Sequence, residues 1–178
     1  MTLYSIALFV HVVGALLLFV TLTVEGLALR LLSRAAVAEA AKGAIAMLQL
    51  NRVVGPLSAL GVLIPGLYMT ATSWGWVAWI VVALVSWVGI AVLGAVNGIR
   101  IVALERSNAL VTGIRNPLFL VSWTARLGIA IGVIFLMTVK PGVIAAVVAI
   151  LFAAAAGAAL GVGLSKRRQM PDTKGQVA

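Results

Sequence analysis

The chain contains no cysteine and only one histidine, His11. A disulfide, a thiolate nucleophile, a cysteine-ligated zinc site and an iron–sulfur cluster are therefore excluded. One chain with a single histidine cannot build a bis-histidine haem site or a HExxH zinc site. The sequence also lacks GxSxG, Walker A, GxGxxG and paired acidic motifs. These absences predict a protein that is not an enzyme and that needs no cofactor.

Charged residues make up only 10% of the 178 residues, whereas 63% are apolar and the mean hydropathy is +1.21. A soluble domain is about half apolar and about a quarter charged, so the lipid bilayer is the solvent indicated. A helix needs about 20 apolar residues to cross the hydrocarbon core. The sequence therefore predicts an all-α polytopic bundle, a single domain over residues 1–165, with spans at about 3–29, 53–72, 77–99, 118–139 and 143–164.

Acidic residues are few, four against thirteen lysines and arginines. Most of the basic residues fall in the loop between the first two spans, the loop between the third and fourth, and the tail 166–178, whereas only Lys140 falls on the opposite side. Basic loops stay in the cytoplasm, so the N-terminus is predicted outside and the C-terminus inside. Topology explains the net charge of +9, and no nucleic-acid partner is expected. The alanine-rich segment 35–50 is predicted to extend the second helix into the cytoplasm.

Four polar residues are predicted in the cytoplasmic half of the membrane: Glu25, Arg52, Asn97 and Arg126. An unpaired ionisable group inside the bilayer costs about 3 kcal/mol or more. We therefore expect one cluster in which Glu25 pairs with Arg126 or Arg52. The cluster is either a binding site for an anion or a proton-coupled solute, or a structural tie between helices.

A second group lies toward the outer surface, where His11, Met69 and Met137 are predicted. Imidazole and thioether groups suit Cu(I), so these residues are a candidate soft-metal site. The alternative is that His11 donates a hydrogen bond to a neighbouring helix and that the methionines fill gaps.

Small residues at four-residue spacing predict close helix packing. They occur in the third, fourth and fifth spans, as Gly94 and Gly98, Gly128 and Gly132, and Ala153, Gly157 and Gly161. The partner helix belongs either to the same chain or to a second copy. Pro56 and Pro65 predict a kink or local unwinding of the second span near Pro65.

Three segments resemble bacterial predicted integral membrane proteins of unknown function: LFVHVVGALLLF, GLYMTATSWGW and FLMTVKPG. In pattern these proteins are loosely similar to the copper-resistance D type. The resemblance implies a bacterial inner-membrane protein, and only His11 carries over from it as a metal ligand.

Residues that indicate close helix packing outnumber residues that could carry chemistry. The sequence therefore favours a non-catalytic helical bundle that self-associates or serves as an accessory subunit of a larger membrane complex. Two alternatives stay open: a transporter of a small solute, an ion or protons that uses the inner cluster, and a copper-handling protein.

Overall fold

The computed structural model describes residues 2–35 and 38–169, and every element in these ranges is helical. The all-α prediction is confirmed for this part of the chain. The elements are α1 (Leu3–Arg34), α2 (Ala38–Met69), a π-helical turn (Thr70–Trp74), α3 (Ala78–Arg106), α4 (Leu110–Gly113), α5 (Pro117–Val139) and α6 (Val143–Gln169).

Five helices, all but α4, are long and apolar enough to cross a membrane. The number of spans and their approximate positions agree with the prediction, but several helices continue beyond the apolar stretch. The second begins at Ala38, and α6 continues past residue 164 to Gln169. Residues 170–178 of the predicted tail lie outside the described residues.

Proline does not interrupt α2, which stays α-helical through both Pro56 and Pro65. The departure from α-helical geometry occurs beyond Pro65, in the π-helical turn, where the Gly75 amide donates to the Thr70 carbonyl over 2.8 Å. The predicted local unwinding therefore does not occur at Pro65 itself, and the kink predicted as its alternative stays a prediction. Because proline removes only one backbone donor, the bonds of neighbouring turns hold the helix together.

Two ends of the bundle differ in character. We call the end that holds Arg34, Arg106 and Pro117 the basic end. The other is the aromatic end, where Tyr4, Trp74, Trp79 and Lys140 lie together. Three contacts join these residues: the Trp74 indole donates to the Tyr4 hydroxyl over 3.2 Å, Trp74 and Trp79 pack edge to face, and the Lys140 ammonium lies 4.1 Å from the Trp74 ring centroid.

The helices associate as two pairs, α1 with α2 and α5 with α6, and α3 joins them mainly through α5. Gly14 of α1 lies directly against α2, because an added Cβ would stand 2.5 Å from the carbonyl carbon of Gly61. Close backbone approach of this kind drives association in lipid, where apolar burial provides no net force between helices.

The small residues of α5 and α6 face each other. A Cβ on Gly128 would meet the Ala153 carbonyl oxygen at 2.2 Å, and one on Gly157 would meet the Thr124 carbonyl oxygen at 2.3 Å. A Cβ on Gly161 would lie 2.3 Å from Oγ1 of Thr124 in α5, and one on Gly132 would lie 3.0 Å from Cδ1 of Ile150 in α6. In this structure the two stripes therefore serve contacts within the chain.

The two glycines of α3 differ from this pattern. A Cβ on Gly98 would meet no atom within 4 Å, so this position brings no other helix close. Gly94 contacts a side chain, that of Arg126, rather than a helix backbone. Within residues 2–35 and 38–169, this pair therefore packs against no helix backbone.

Candidate intramembrane polar site

Three of the four predicted polar residues lie at one depth. Glu25, Asn97 and Arg126 each lie nine residues from the basic end of their helices, which is Arg34 in α1, Arg106 in α3 and Pro117 in α5. At 1.5 Å per residue this depth is about 14 Å. The three residues therefore form a polar layer inside the apolar part of the bundle.

An ion pair joins two residues of this layer, because Nη2 of Arg126 donates to Oε1 of Glu25. The side chains are only 6% and 8% exposed, so the two charges compensate each other away from water. Gly94 leaves room for the guanidinium, since a Cβ at this position would lie 3.0 Å from Nη1. The pair connects α1 to α5, and α3 supplies the surface on which it rests.

Trp123 also joins α1 to α5, one helical turn from the ion pair. Its indole N–H donates to the Leu22 carbonyl over 2.7 Å. Its ring occupies the space beside Gly26, where an added Cβ would stand 2.2 Å from Cζ2. The position of α1 against α5 at Glu25 is therefore set by an aromatic side chain and a glycine as well as by charge.

Three buried polar atoms near this layer have no hydrogen-bond partner in the described part of the chain: Nε of Arg126, Nδ2 of Asn97 and Oγ of Ser122. Asn97 is only 2% exposed and Arg126 only 5%. Ser122 precedes Arg126 by four residues, so the two share one face of α5. A buried donor without a partner lowers the stability of the fold by about 1–3 kcal/mol. Acceptor atoms placed beside these three groups would therefore stabilise the layer.

Apolar residues close the polar layer on both sides. Toward the basic end lies a buried core that includes Leu29, Ile101 and Phe119. Toward the aromatic end lies a smaller cluster built on Leu22, Ile90 and Ala130. The layer therefore lies between two apolar clusters along the axis of the bundle.

Arg52 does not join the layer. It donates instead to Glu105 of α3, which also accepts from Gln49 over 3.0 Å. The side chains of Arg52 and Glu105 are 37% and 29% exposed, so this pair lies at the surface of the basic end. The structure thus brings Glu25 and Arg126 together, places Asn97 at their depth, and separates Arg52 from them.

His11 contacts the segment of α2 that precedes Pro65. Its Nδ1 lies 2.8 Å from the Val62 carbonyl oxygen, and Gly66 leaves space for the ring. A carbonyl oxygen accepts only, so Nδ1 carries the proton and Nε2 is left with the lone pair when the ring is neutral. This bond agrees with the interpretation of His11 as an inter-helix donor.

The two methionines of the candidate metal site differ in surroundings. Met69 is 8% exposed, whereas Met137 is 36% exposed and lies on the outside of the bundle. No group of three His, Cys, Asp or Glu side chains capable of holding a metal occurs within residues 2–35 and 38–169. That finding concerns His, Cys, Asp and Glu only, so the metal site of His11, Met69 and Met137 stays a prediction.

An apolar groove runs along the seam of α5 and α6, with a volume of about 560 Å³. Its walls include Ile131, Phe135, Phe152 and Leu160. Its lining also includes Thr124 and Leu127, which flank Arg126 in α5, and α6 has the smallest share of buried residues among the five spans.

Comparison with known proteins adds no relative: no family model, curated protein or solved structure matches this chain. The resemblance inferred from the three sequence segments therefore stays a prediction. The function has to be argued from the site itself.

Proposed function

We propose that this protein is a carrier of a small solute or of protons, and that it binds its cargo in the polar layer of Glu25, Asn97 and Arg126. The single observation that carries the proposal is the set of buried donors without partners beside a buried ion pair. Ionisable residues within a membrane bundle commonly mark solute or proton pathways.

A purely structural tie would need the ion pair alone. It does not account for the unpartnered Nε of Arg126 and Nδ2 of Asn97, because an amide and a guanidinium N–H placed in hydrocarbon without acceptors destabilise the fold. A bound solute with acceptor atoms would satisfy both groups. Apolar clusters on either side of the layer are the arrangement expected of a carrier that is closed to both sides.

We further propose that the protein lies in the bacterial inner membrane with its basic end in the cytoplasm. The basic end carries most of the lysines and arginines, whereas Lys140 is the one at the aromatic end among the described residues. Tryptophan and tyrosine prefer the membrane interface, which supports placing Trp74, Trp76 and Tyr4 at the outer surface.

The test is uptake into vesicles that contain the purified protein. We expect protons, nitrate or urea to enter faster than into protein-free vesicles, and we expect Asn97→Leu to reduce that rate at least tenfold. Ser86→Ala is the matched control, because Ser86 is also buried in α3 but bonds only the Val82 carbonyl of its own helix. Rates equal to those of protein-free vesicles for all three probes would refute the carrier.

A second candidate function is that of a self-associating subunit. The groove between α5 and α6 favours it, because a helix of a second copy seated there would gain van der Waals packing, which drives helix association in lipid. Light scattering in mild detergent should then give a discrete dimer. Ala156 lines the groove, so Ala156→Trp should fill it and convert the dimer to a monomer. A wild-type monomer would count against self-association.

A further inference from the structure

We infer that the polar layer takes a monovalent oxyanion together with one proton, and that Glu25 receives the proton. This inference rests on the proposed carrier function and specifies its cargo. It follows from the charges and the donors of the layer.

The layer is electrically neutral without a ligand. The layer holds one cation, Arg126, and one anion, Glu25, and both are buried. A bound monovalent anion would leave the layer with a net negative charge in a medium of low dielectric constant, which is strongly unfavourable. Protonation of the Glu25 carboxylate restores neutrality: the anion then balances Arg126, and the proton enters from water on the side from which the anion came.

The hydrogen-bond donors of the layer determine which acceptor atoms the cargo has to present. Nε of Arg126 and Nδ2 of Asn97 are N–H groups that can only donate, so the ligand has to accept at two or more positions. The hydroxyl of Ser122 can donate a third hydrogen bond from the next turn of α5. A planar oxyanion matches the planar guanidinium, which binds such groups through adjacent N–H bonds.

The enclosure limits the size of the anion. Leu22, Ile90 and Ala130 close the layer on one side, and Leu29, Ile101 and Phe119 close it on the other. The adjoining walls are tight as well, since Gly26 is filled by the Trp123 ring and Gly94 by the guanidinium. Nε of Arg126, Nδ2 of Asn97 and Oγ of Ser122 have almost no accessible surface, so the cargo is an anion of a few heavy atoms that enters as these side chains move apart. Nitrate is a suitable probe because it does not cross the bilayer as the free acid.

The experiment measures nitrate uptake and internal pH together in vesicles that contain the full-length protein. In the wild type, an inward nitrate gradient should acidify the interior by one proton for each nitrate, at a rate unaffected when valinomycin and potassium clamp the membrane potential at zero. Glu25→Gln should still take up nitrate, but without acidification, and an inside-positive potential should accelerate it. Glu105→Gln, which removes the carboxylate at the basic end, should behave as the wild type.

The other possible results distinguish a wrong cargo from a wrong carrier function. Nitrate uptake without a proton in the wild type, or unchanged coupling in Glu25→Gln, overturns the inference while leaving a carrier in place. Uptake of urea or protons without nitrate does the same. No uptake of any probe refutes both the cargo and the carrier. Size-exclusion profiles that match the wild type establish that Glu25→Gln is folded, and Glu25→Asp, which keeps a carboxylate at this position, should retain the coupling.

Discussion

The indole N–H of Trp123 donates a hydrogen bond to the Leu22 carbonyl across 2.7 Å, one helical turn from the Glu25–Arg126 ion pair. The bond and the ion pair both connect α1 to α5. Polar contacts are therefore concentrated at the depth where these two helices meet, and they hold the candidate site in register.

Trp123→Phe should lower the free energy of unfolding by about 1–3 kcal/mol. The substitution removes the inter-helix hydrogen bond and also the part of the indole ring that fills the space beside Gly26. Reversible unfolding in detergent or bicelles would measure the change. Trp76→Phe is the control, because Trp76 is 68% exposed and the same substitution there should have little effect.

Gly128→Ala should destabilise the protein by about 1–3 kcal/mol, because its Cβ would overlap the Ala153 carbonyl and push α6 away from α5. Gly98→Ala introduces the same methyl group where no atom lies within 4 Å, so its effect should stay within about 0.5 kcal/mol. Unfolding of the two variants under identical conditions tests this difference. Equal losses of stability would contradict the seam between α5 and α6.

The buried ion pair should show strong coupling in a double-mutant cycle. Arg126→Gln alone leaves the Glu25 carboxylate unpaired, and removing one partner of a buried pair costs about 3–5 kcal/mol. The double variant, with Gln also at position 25, should lose less stability than the two single variants would predict if they were independent. Additive losses would mean that the two side chains do not interact in the membrane.

Single cysteines report the orientation directly, because the native chain has none. Ser73→Cys lies at the aromatic end and Ser107→Cys at the basic end, and both positions are exposed. In intact cells an impermeant maleimide should label only Ser73→Cys, and Ser107→Cys should react only after the membrane is opened. The reverse pattern would invert the orientation, because basic loops would then lie outside.

The spans were predictable because each depends on a property of contiguous sequence. About 20 apolar residues between charges suffice to indicate a membrane helix, and no knowledge of its neighbours is needed. The small-residue stripe containing Gly157 and the pair Gly128 and Gly132 were visible for the same reason. The sequence did not say that these two stripes would meet each other.

Other contacts of the fold and of the site left only a weak indication in the sequence, or none. Gly14 and Gly61 are single glycines without a spaced partner, so nothing in either helix identified the close approach between α1 and α2. Ser122 was missed, although its position one turn before Arg126 on the same face was a usable signal. The choice between Arg52 and Arg126 as the partner of Glu25 was open, because both lie in the cytoplasmic half.

The sequence by itself determined that this chain forms five apolar helices, that ionisable groups in them are few, and that the groups lie toward one end. Each of these properties follows from the order of residues along a single helix. Only the tertiary structure decided that Glu25 meets Arg126, that Arg52 meets Glu105, and that donors stay unpartnered beside the pair. These outcomes depend on the rotation and register of helices distant in sequence, which are set by packing between them.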